Sequence, residues 1–245
     1  MYSFRRLALM LVFFLPVAQY VVAEDSSSSS APTAQDQAAQ TQAPESNPNE
    51  SVQARLKARR EQRRAQAIHD TYSNLYEIFI GGGYLRFRPG PDVQLATMYS
   101  WDAALTRYYN PKLGVTLDGR GYYGTAYVGL NEAAITRPAV SHYGVLGGPT
   151  YRFILHPKYS VAGRVMGGVS LGNFGGDTNG FDPRSLGLYP DATTYAVSAS
   201  VVGEMNLSPT LSLRLGPEYY LTGFGSSAQN SIGFTYGLVY RFGKQ

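Results

Sequence analysis

Residues 232–242, IGFTYGLVYRF, decide the fold of this 245-residue chain. Every second residue from Ile232 to Phe242 is apolar, and the residues between are small or polar, with Val239 the exception. Successive side chains of a β-strand point to opposite faces, so this alternation predicts a strand with two unlike faces. Residues 210–222 repeat the pattern. Strands of this length exceed the roughly 5–6 residues usual in globular proteins and suit a tilted bilayer crossing of about 9–11.

The connections between the predicted strands differ in length at the two ends. Three tight turns contain Pro111, Pro157 and Pro209, which are 46 and 52 residues apart. Longer glycine-rich connections alternate with them at about 89–97, 126–141, 174–191 and 225–230. This asymmetry is typical of a transmembrane β-barrel. The chain is therefore predicted to be all-β, an eight-stranded antiparallel transmembrane β-barrel with strands at 76–88, 98–109, 113–125, 142–154, 159–173, 192–207, 211–224 and 231–242.

Aromatic residues gather near both ends of the predicted strands. Their rings favour the boundary between lipid and water, so two aromatic girdles are expected. The residues near the tight turns are Tyr108, Tyr109, Tyr151, Phe153 and Tyr159. The residues near the loops are Tyr99, Trp101, Tyr123, Tyr195 and Tyr219.

The alternation also assigns ten charged side chains to the interior. An eight-stranded barrel is just wide enough for side chains to fill it, so these charges need partners. The predicted lumen network has five acids and five bases: Glu77, Asp102, Asp118, Arg120, Arg152, Arg164, Glu204, Arg214, Glu218 and Arg241. Counting outward from the turn prolines and closing the barrel predicts three pairs: Asp102 with Arg120, Glu204 with Arg214, and Arg241 with Glu77.

This network supports two interpretations. In the structural one, the charges fill the barrel, fix the register and leave no continuous water path. In the other, an arginine exchanges carboxylate partners and opens a narrow ion path. If Glu204 and Arg214 are paired, exchanging the two charges is expected to restore the stability that reversing one of them removes.

The first 72 residues differ from the rest of the chain. Residues 1–23 have two arginines, an apolar run and a small-residue cleavage site, which is typical of an export signal. Residues 24–50, with five acids and no base, are predicted to be a disordered periplasmic linker. Residues 51–72 are predicted to form a basic helix, and residues 73–245 the barrel.

The basic segment allows two interpretations. It is predicted to be a solvated spacer, or to contact inner-leaflet lipid or peptidoglycan through residues 51–70, which hold six bases and two acids. A nucleic-acid partner is excluded, because export separates the chain from nucleic acid.

Composition argues against a metal, thiol or catalytic site. The chain has no cysteine and three histidines, so no metal, no cofactor and no enzyme activity are predicted. His142 lies beside Ser141, with Glu132 as a loop neighbour, and leaves an outer-membrane lipid-modifying enzyme as a remote alternative. Solvated loop acids, rather than a calcium loop, are expected for Asp177, Asp182 and Asp191.

The end of the last strand resembles the C-terminal signal of bacterial outer-membrane barrels. That signal has a polar residue, a glycine two positions on, and aromatic residues at the sixth and eighth positions. Three residues (243–245) follow the matching positions, which are Thr235, Gly237, Tyr240 and Phe242. The resemblance implies that the barrel-assembly machinery is a partner.

More broadly, residues 75–245 resemble the OmpA-type eight-stranded outer-membrane β-barrel family, including its porin-like members. The resemblance rests on the first strand, YEIFIGGGY at 76–84, and on WDAALTRYYN at 101–110. It implies a barrel in the outer membrane that anchors, adheres or conducts poorly, and the fold alone does not choose among these.

Together these features predict a monomer in contact with outer-membrane lipids and lipopolysaccharide, with its N-terminal tail in the periplasm. The favoured function is structural or surface interaction, with a charge-filled, largely closed lumen. The alternative is a low-conductance gated channel for small ions and solutes. A soluble periplasmic barrel is disfavoured because its outward face would be a continuous apolar band.

Overall fold

The computed structural model describes residues 48–129, 131, 134–225 and 227–244. Its elements are helix α1 (Pro48–Tyr72), a 3₁₀ turn (Pro183–Leu186), and strands β1 (Asn74–Phe87), β2 (Ala96–Tyr108), β3 (Leu113–Thr125), β4 (Ala139–Leu155), β5 (Tyr159–Asn173), β6 (Ala192–Asn206), β7 (Leu211–Thr222) and β8 (Gln229–Lys244). The predicted export signal and the predicted linker up to residue 47 lie outside the described residues. The helix begins at Pro48 rather than at residue 51.

The strands form one closed antiparallel barrel in sequence order, and β1 pairs with β8 to complete it. The prediction of an eight-stranded antiparallel barrel is therefore confirmed. The tight turns at Pro111, Pro157 and Pro209 lie together at one end, which we call the turn end. The longer connections lie at the opposite end, which we call the loop end.

The two faces of the barrel differ as the alternation predicts. Large apolar side chains point outward along the strands, among them Ile80, Leu117, Val165 and Leu238. An apolar surface of this extent around a whole barrel suits a lipid environment and not water. Nine of the ten residues expected in the aromatic girdles are also exposed on the outside.

The expectation for Tyr108 was wrong. Its side chain is 1 % exposed and faces the interior, where the guanidinium carbon of Arg152 lies 3.7 Å from the ring centroid. The reason is the parity of β2: this strand ends at Tyr108, whose side chain falls on the inward face, and only Tyr109 turns outward.

Helix α1 is exposed along most of its length, including Val52 and Leu56. Among the helix side chains that the structure describes, the buried ones lie at the C-terminal end, at Thr71 and Tyr72. Within the described residues, no helix is both long and apolar enough to cross a membrane.

Glycines on the inward face make room for the larger interior side chains. Gly81 and Gly237 are register partners across the β1–β8 seam, and the ring of Phe79 covers both. A Cβ atom on Gly81 would lie 2.2 Å from the carbonyl oxygen of Tyr236 and 2.6 Å from the Phe79 ring. The seam therefore depends on the absence of a side chain at this position.

Replacing Gly81 with alanine should destabilise the closed barrel. The new methyl group meets backbone that cannot move aside, so we expect a loss of about 1–3 kcal/mol in the free energy of unfolding. Gly167→Ala is the matched control, because a Cβ there has no atom within 4 Å. Urea unfolding of the two variants in lipid vesicles compares them, and equal midpoints would contradict the seam argument.

Candidate functional site: the lumen charge network

All ten charged residues assigned to the lumen from sequence are buried on the inward face, and none is more than 4 % exposed. Charged groups removed from water are stable only when they are paired and hydrogen-bonded. Five carboxylates and five guanidiniums balance in number, and nine of the ten, all except Asp102, form two groups of ion pairs along the barrel axis.

The group nearer the turn end is built around two glutamates. Glu77 accepts from Arg152 at 2.5 Å and from Arg241 at 3.3 Å, and it also contacts Arg214. Glu204 accepts from Arg214 at 2.5 Å, from Arg241 at 2.6 Å and from the Ser160 hydroxyl. Arg214 and Arg241 are each shared by both carboxylates, so no pair in this group is isolated.

The second group lies further toward the loop end and is built around Arg120. Its guanidinium donates to Asp118 at 2.6 Å and to Glu218, which belongs to β7 across the lumen. Arg164 lies 3.5 Å from the other oxygen of Asp118. Glu218 also accepts from a serine hydroxyl of β6, Ser198.

The three predicted pairs have different outcomes. Glu204 and Arg214 are register partners and form an ion pair, as do Glu77 and Arg241. Asp102 and Arg120 are also register partners, yet the expected ion pair between them is absent. Arg120 instead contacts Asp118 on its own strand and Glu218 across the barrel, and Asp102 Oδ1 is left without a hydrogen-bond partner among the described residues.

Tyr72, the last residue of α1, covers the charges at the turn end. Its side chain is 1 % exposed, and the guanidinium carbons of Arg152 and Arg241 lie 5.1 and 5.2 Å from its ring centroid. The hydroxyl donates to the carbonyl of His156 at 2.9 Å and accepts from the Asn206 amide at 2.7 Å. Sequence reasoning placed this residue outside the barrel, because it precedes the first alternating segment.

The loop end of the lumen is aromatic, which the sequence analysis did not anticipate. The ring centroids of Phe174 and Phe224 are 5.2 Å apart, and those of Tyr122 and His142 are 4.4 Å apart. The same buried cluster includes Leu186 and Leu188 of the 174–191 loop. The sequence contains the signal, since inward positions near the loops are aromatic, but charged residues alone do not reveal it.

His142 belongs to this cluster and not to a polar rim. It is fully buried, and its imidazole Nδ1 lies 3.4 Å from the Ser170 hydroxyl. Because β4 begins at Ala139, His142 lies within the strand, where it and Ser141 point to opposite faces. The His–Ser arrangement considered for a lipid-modifying enzyme is therefore not formed by these two residues, and Glu132 lies outside the described residues.

Two of the loop acids have structural partners. Asp191 accepts from the backbone N–H groups of Phe174 and Gly175 at 2.6 and 3.0 Å, and Asp182 accepts from the backbone N–H of Arg184 at 2.9 Å. Among the described residues, no group of three or more His, Asp or Glu side chains is arranged to hold a metal ion.

A closed eight-stranded antiparallel barrel with an apolar exterior and a filled interior has the architecture of the small outer-membrane β-barrel proteins. No family model and no curated protein sequence matches the chain.

Solved structures with a similar fold include three outer-membrane or surface proteins. The attachment invasion locus protein Ail of Yersinia pestis has a TM-score of 0.45 and 16 % identity, over 69 % of this chain and 99 % of Ail. Neisserial surface protein A has a TM-score of 0.47 and 13 % identity, over 68 % and 97 % of the two chains. OprG from Pseudomonas aeruginosa has a TM-score of 0.45 and 10 % identity, over 70 % and 98 %.

The shared arginines predict a coupled response to mutation. Glu204→Gln and Arg214→Gln should each lower the free energy of unfolding by about 3–5 kcal/mol, because each removes one charge from a buried and balanced network and leaves an uncompensated charge in it. The double variant should lose less than the sum. Urea unfolding of the refolded barrel measures the cycle, with Arg86→Gln, an exposed arginine bonded to Thr97, as the control.

Exchanging the two charges should restore only part of this loss. A carboxylate at position 214 would face Glu77, and an arginine at position 204 would face Arg241. Full restoration by the exchange, or strict additivity of the single variants, would contradict a shared network.

The Tyr72 contacts predict that its ring contributes more than its hydroxyl. Tyr72→Ala should lower the free energy of unfolding by about 3–5 kcal/mol, whereas Tyr72→Phe should cost about 1 kcal/mol. The alanine variant should also speed trypsin cleavage at the arginines of α1, because the end of the helix is released. Tyr109→Ala, an exposed tyrosine at the same end, is the control, and equal effects at the two positions would refute the role of Tyr72.

Proposed function

We propose that this protein is an integral outer-membrane β-barrel with a closed lumen, whose function resides in its surfaces. The observation that carries the proposal is the succession of layers along the axis. Tyr72 covers the turn end, the ion-pair network occupies the region next to it, and the aromatic cluster occupies the loop end. Because the interior is filled, a partner or ligand can bind only to the outer surface, the loops or the helix.

The chemistry of the layers supports closure. An ion entering from the turn end would have to displace Tyr72 and then compete with arginine–glutamate contacts as short as 2.5 Å. Beyond the charges it would meet phenylalanine rings and aliphatic side chains, which offer few groups to replace its hydration shell. Neither layer alone resembles the selectivity filter of a channel, and an ion would have to cross both layers in succession.

Outer-membrane barrels place short turns in the periplasm and long loops outside. On that rule α1 lies in the periplasm, where its exposed arginines would meet inner-leaflet lipid or peptidoglycan, and the loops face the exterior next to lipopolysaccharide. The barrel is proposed to act as a monomer.

The proposed assembly signal lies in β8. Thr235 and Gly237 are on its inward face, whereas Tyr240 and Phe242 are on the outward face with ring centroids 6.1 Å apart. The strand continues to Lys244, beyond the usual terminal aromatic residue. Recognition of this strand by the barrel-assembly machinery is part of the proposal.

A second candidate function is a low-conductance gated channel. It is favoured by the sharing of Arg214 and Arg241 between Glu77 and Glu204, because a shared arginine can exchange partners with little loss of pairing. In the loop half, however, no similar exchange is available to the aromatic side chains.

Conductance of the purified full-length protein in a planar bilayer tests the two functions. We expect no discrete openings from the native protein or from Glu204→Gln, because the aromatic cluster remains in place. Phe224→Ala combined with Glu204→Gln removes a ring from the aromatic cluster and a charge from the ion-pair network, and should produce openings. Val165→Ala, at an outward-facing position, is the control. Regular openings of the native protein that grow in Glu204→Gln alone would favour the gated channel and reject the closed barrel.

A further inference from the structure

The loop end carries an open cavity of about 450 Å³ that the lumen does not include. Three connections supply its walls: the one after β1, the 174–191 loop and the one between β7 and β8. The side chains that give it its chemistry are Arg88, Arg184, Tyr189, Ser227 and Gln229. The volume falls within the range of small-molecule binding pockets, which is roughly 300–1,000 Å³.

The walls of this cavity are held by close backbone contacts. The N–H of Tyr189 donates to the carbonyl of Pro89 at 2.9 Å. A Cβ on Gly90 would lie 1.9 Å from the carbonyl oxygen of Gly187, and one on Gly225 would lie 2.4 Å from the Tyr189 ring. Glycine at these positions allows the three connections to pack against one another. The cavity is therefore pre-formed, which lowers the entropic cost of binding.

The side chains that line the cavity include two arginines and no acid. Arg88 and Arg184 are both exposed, and neither forms an ion pair within the described part of the chain. Asp182 and Asp191 lie next to the lining residues but do not line the cavity, and hydrogen bonds from backbone N–H groups hold their carboxylates in the loop. Arg88 and Tyr189 line the same cavity, and burial raises the pKa of Tyr189 despite the opposing positive charge of Arg88.

We propose that this cavity binds an anionic saccharide, a refinement that rests on the surface-interaction function proposed above. Guanidinium groups match phosphate, sulfate and carboxylate oxygens in a bidentate geometry. The side-chain amide of Gln229 donates to the carbonyl and the hydroxyl of Ser227 at 3.2 and 3.4 Å. The amide oxygen of Gln229 can still accept from a hydroxyl group of a sugar ring, and the Ser227 hydroxyl can still donate to one. Tyr189 is 6 % exposed and packs against Gly225, so its ring does not offer an open face on which a nucleobase could stack. This argues for a saccharide rather than a nucleotide.

The test uses full-length protein in lipid nanodiscs and two fluorescent probes of equal length, carboxymethyl-dextran and neutral dextran. The native protein should bind the carboxymethylated probe and not the neutral one. Arg88→Gln combined with Arg184→Gln should weaken binding about tenfold or more. Arg137→Gln removes a charge from another exposed arginine of the loop end, outside this cavity, and should leave binding nearly unchanged.

Equal binding of the two probes would overturn the proposal, because it would show that the anionic groups are not recognised. Equal losses in the Arg137 variant and the double variant would also overturn it, because they would show non-specific electrostatic attraction. Adding lipopolysaccharide to the nanodiscs identifies the source of the anion. Competition through the same two arginines assigns the site to the cell's own glycolipid, and undiminished probe binding assigns it to a soluble saccharide. A native barrel that conducts would refute the closed-lumen function and leave this binding result unaffected.

Discussion

The constraint on which the whole structure depends is that a chain in lipid must satisfy its backbone hydrogen bonds internally. The pairing of β1 with β8 meets it, from Asn74 opposite Lys244 to Arg86 opposite Ile232. Once the sheet is closed with eight strands, its interior is narrow and shut off from lipid. Each inward side chain must then fit and, if charged, find a partner across a short distance. The narrow interior requires glycine at position 81, where a side chain would not fit, and it brings the arginines and glutamates within contact of one another.

Inside this enclosure, polarity changes along the axis. Charged groups occupy the region beneath Tyr72, and aromatic groups occupy the region beneath the loops. The two regions stabilise the barrel by different means, since ion pairs in a low-dielectric interior are directional and apolar packing is not. A barrel filled by both resists opening from either end. This arrangement is the basis of the proposal that the protein acts through its loops and its helix.

The sequence predicts the strands well because a period of two is a local property, and the prolines predict the register because each turn starts a hairpin. Glu204 opposite Arg214 follows from counting alone. Contacts across the lumen do not, because the approach of Arg120 to Glu218 depends on barrel diameter and side-chain length. His142 was expected at the boundary between loop and strand, but it lies within β4, which begins at Ala139. The alternation of apolar and polar residues weakens near the loop, so the sequence does not locate the start of the strand to within three residues. Tyr72 was missed because it lies before the alternating segment begins.

The position of Tyr72 has a consequence for how the chain matures. Its ring lies against Arg152 from β4 and Arg241 from β8, and its hydroxyl bonds to the turn before β5 and to the end of β6. The complete set of partners is assembled only when β8 has joined β1, because Arg241 lies on the last strand. The residue that precedes the barrel in sequence is therefore among the last to reach its native environment. An accessible α1 junction would mark a chain whose insertion is incomplete, and a protected one would mark a chain that has finished it.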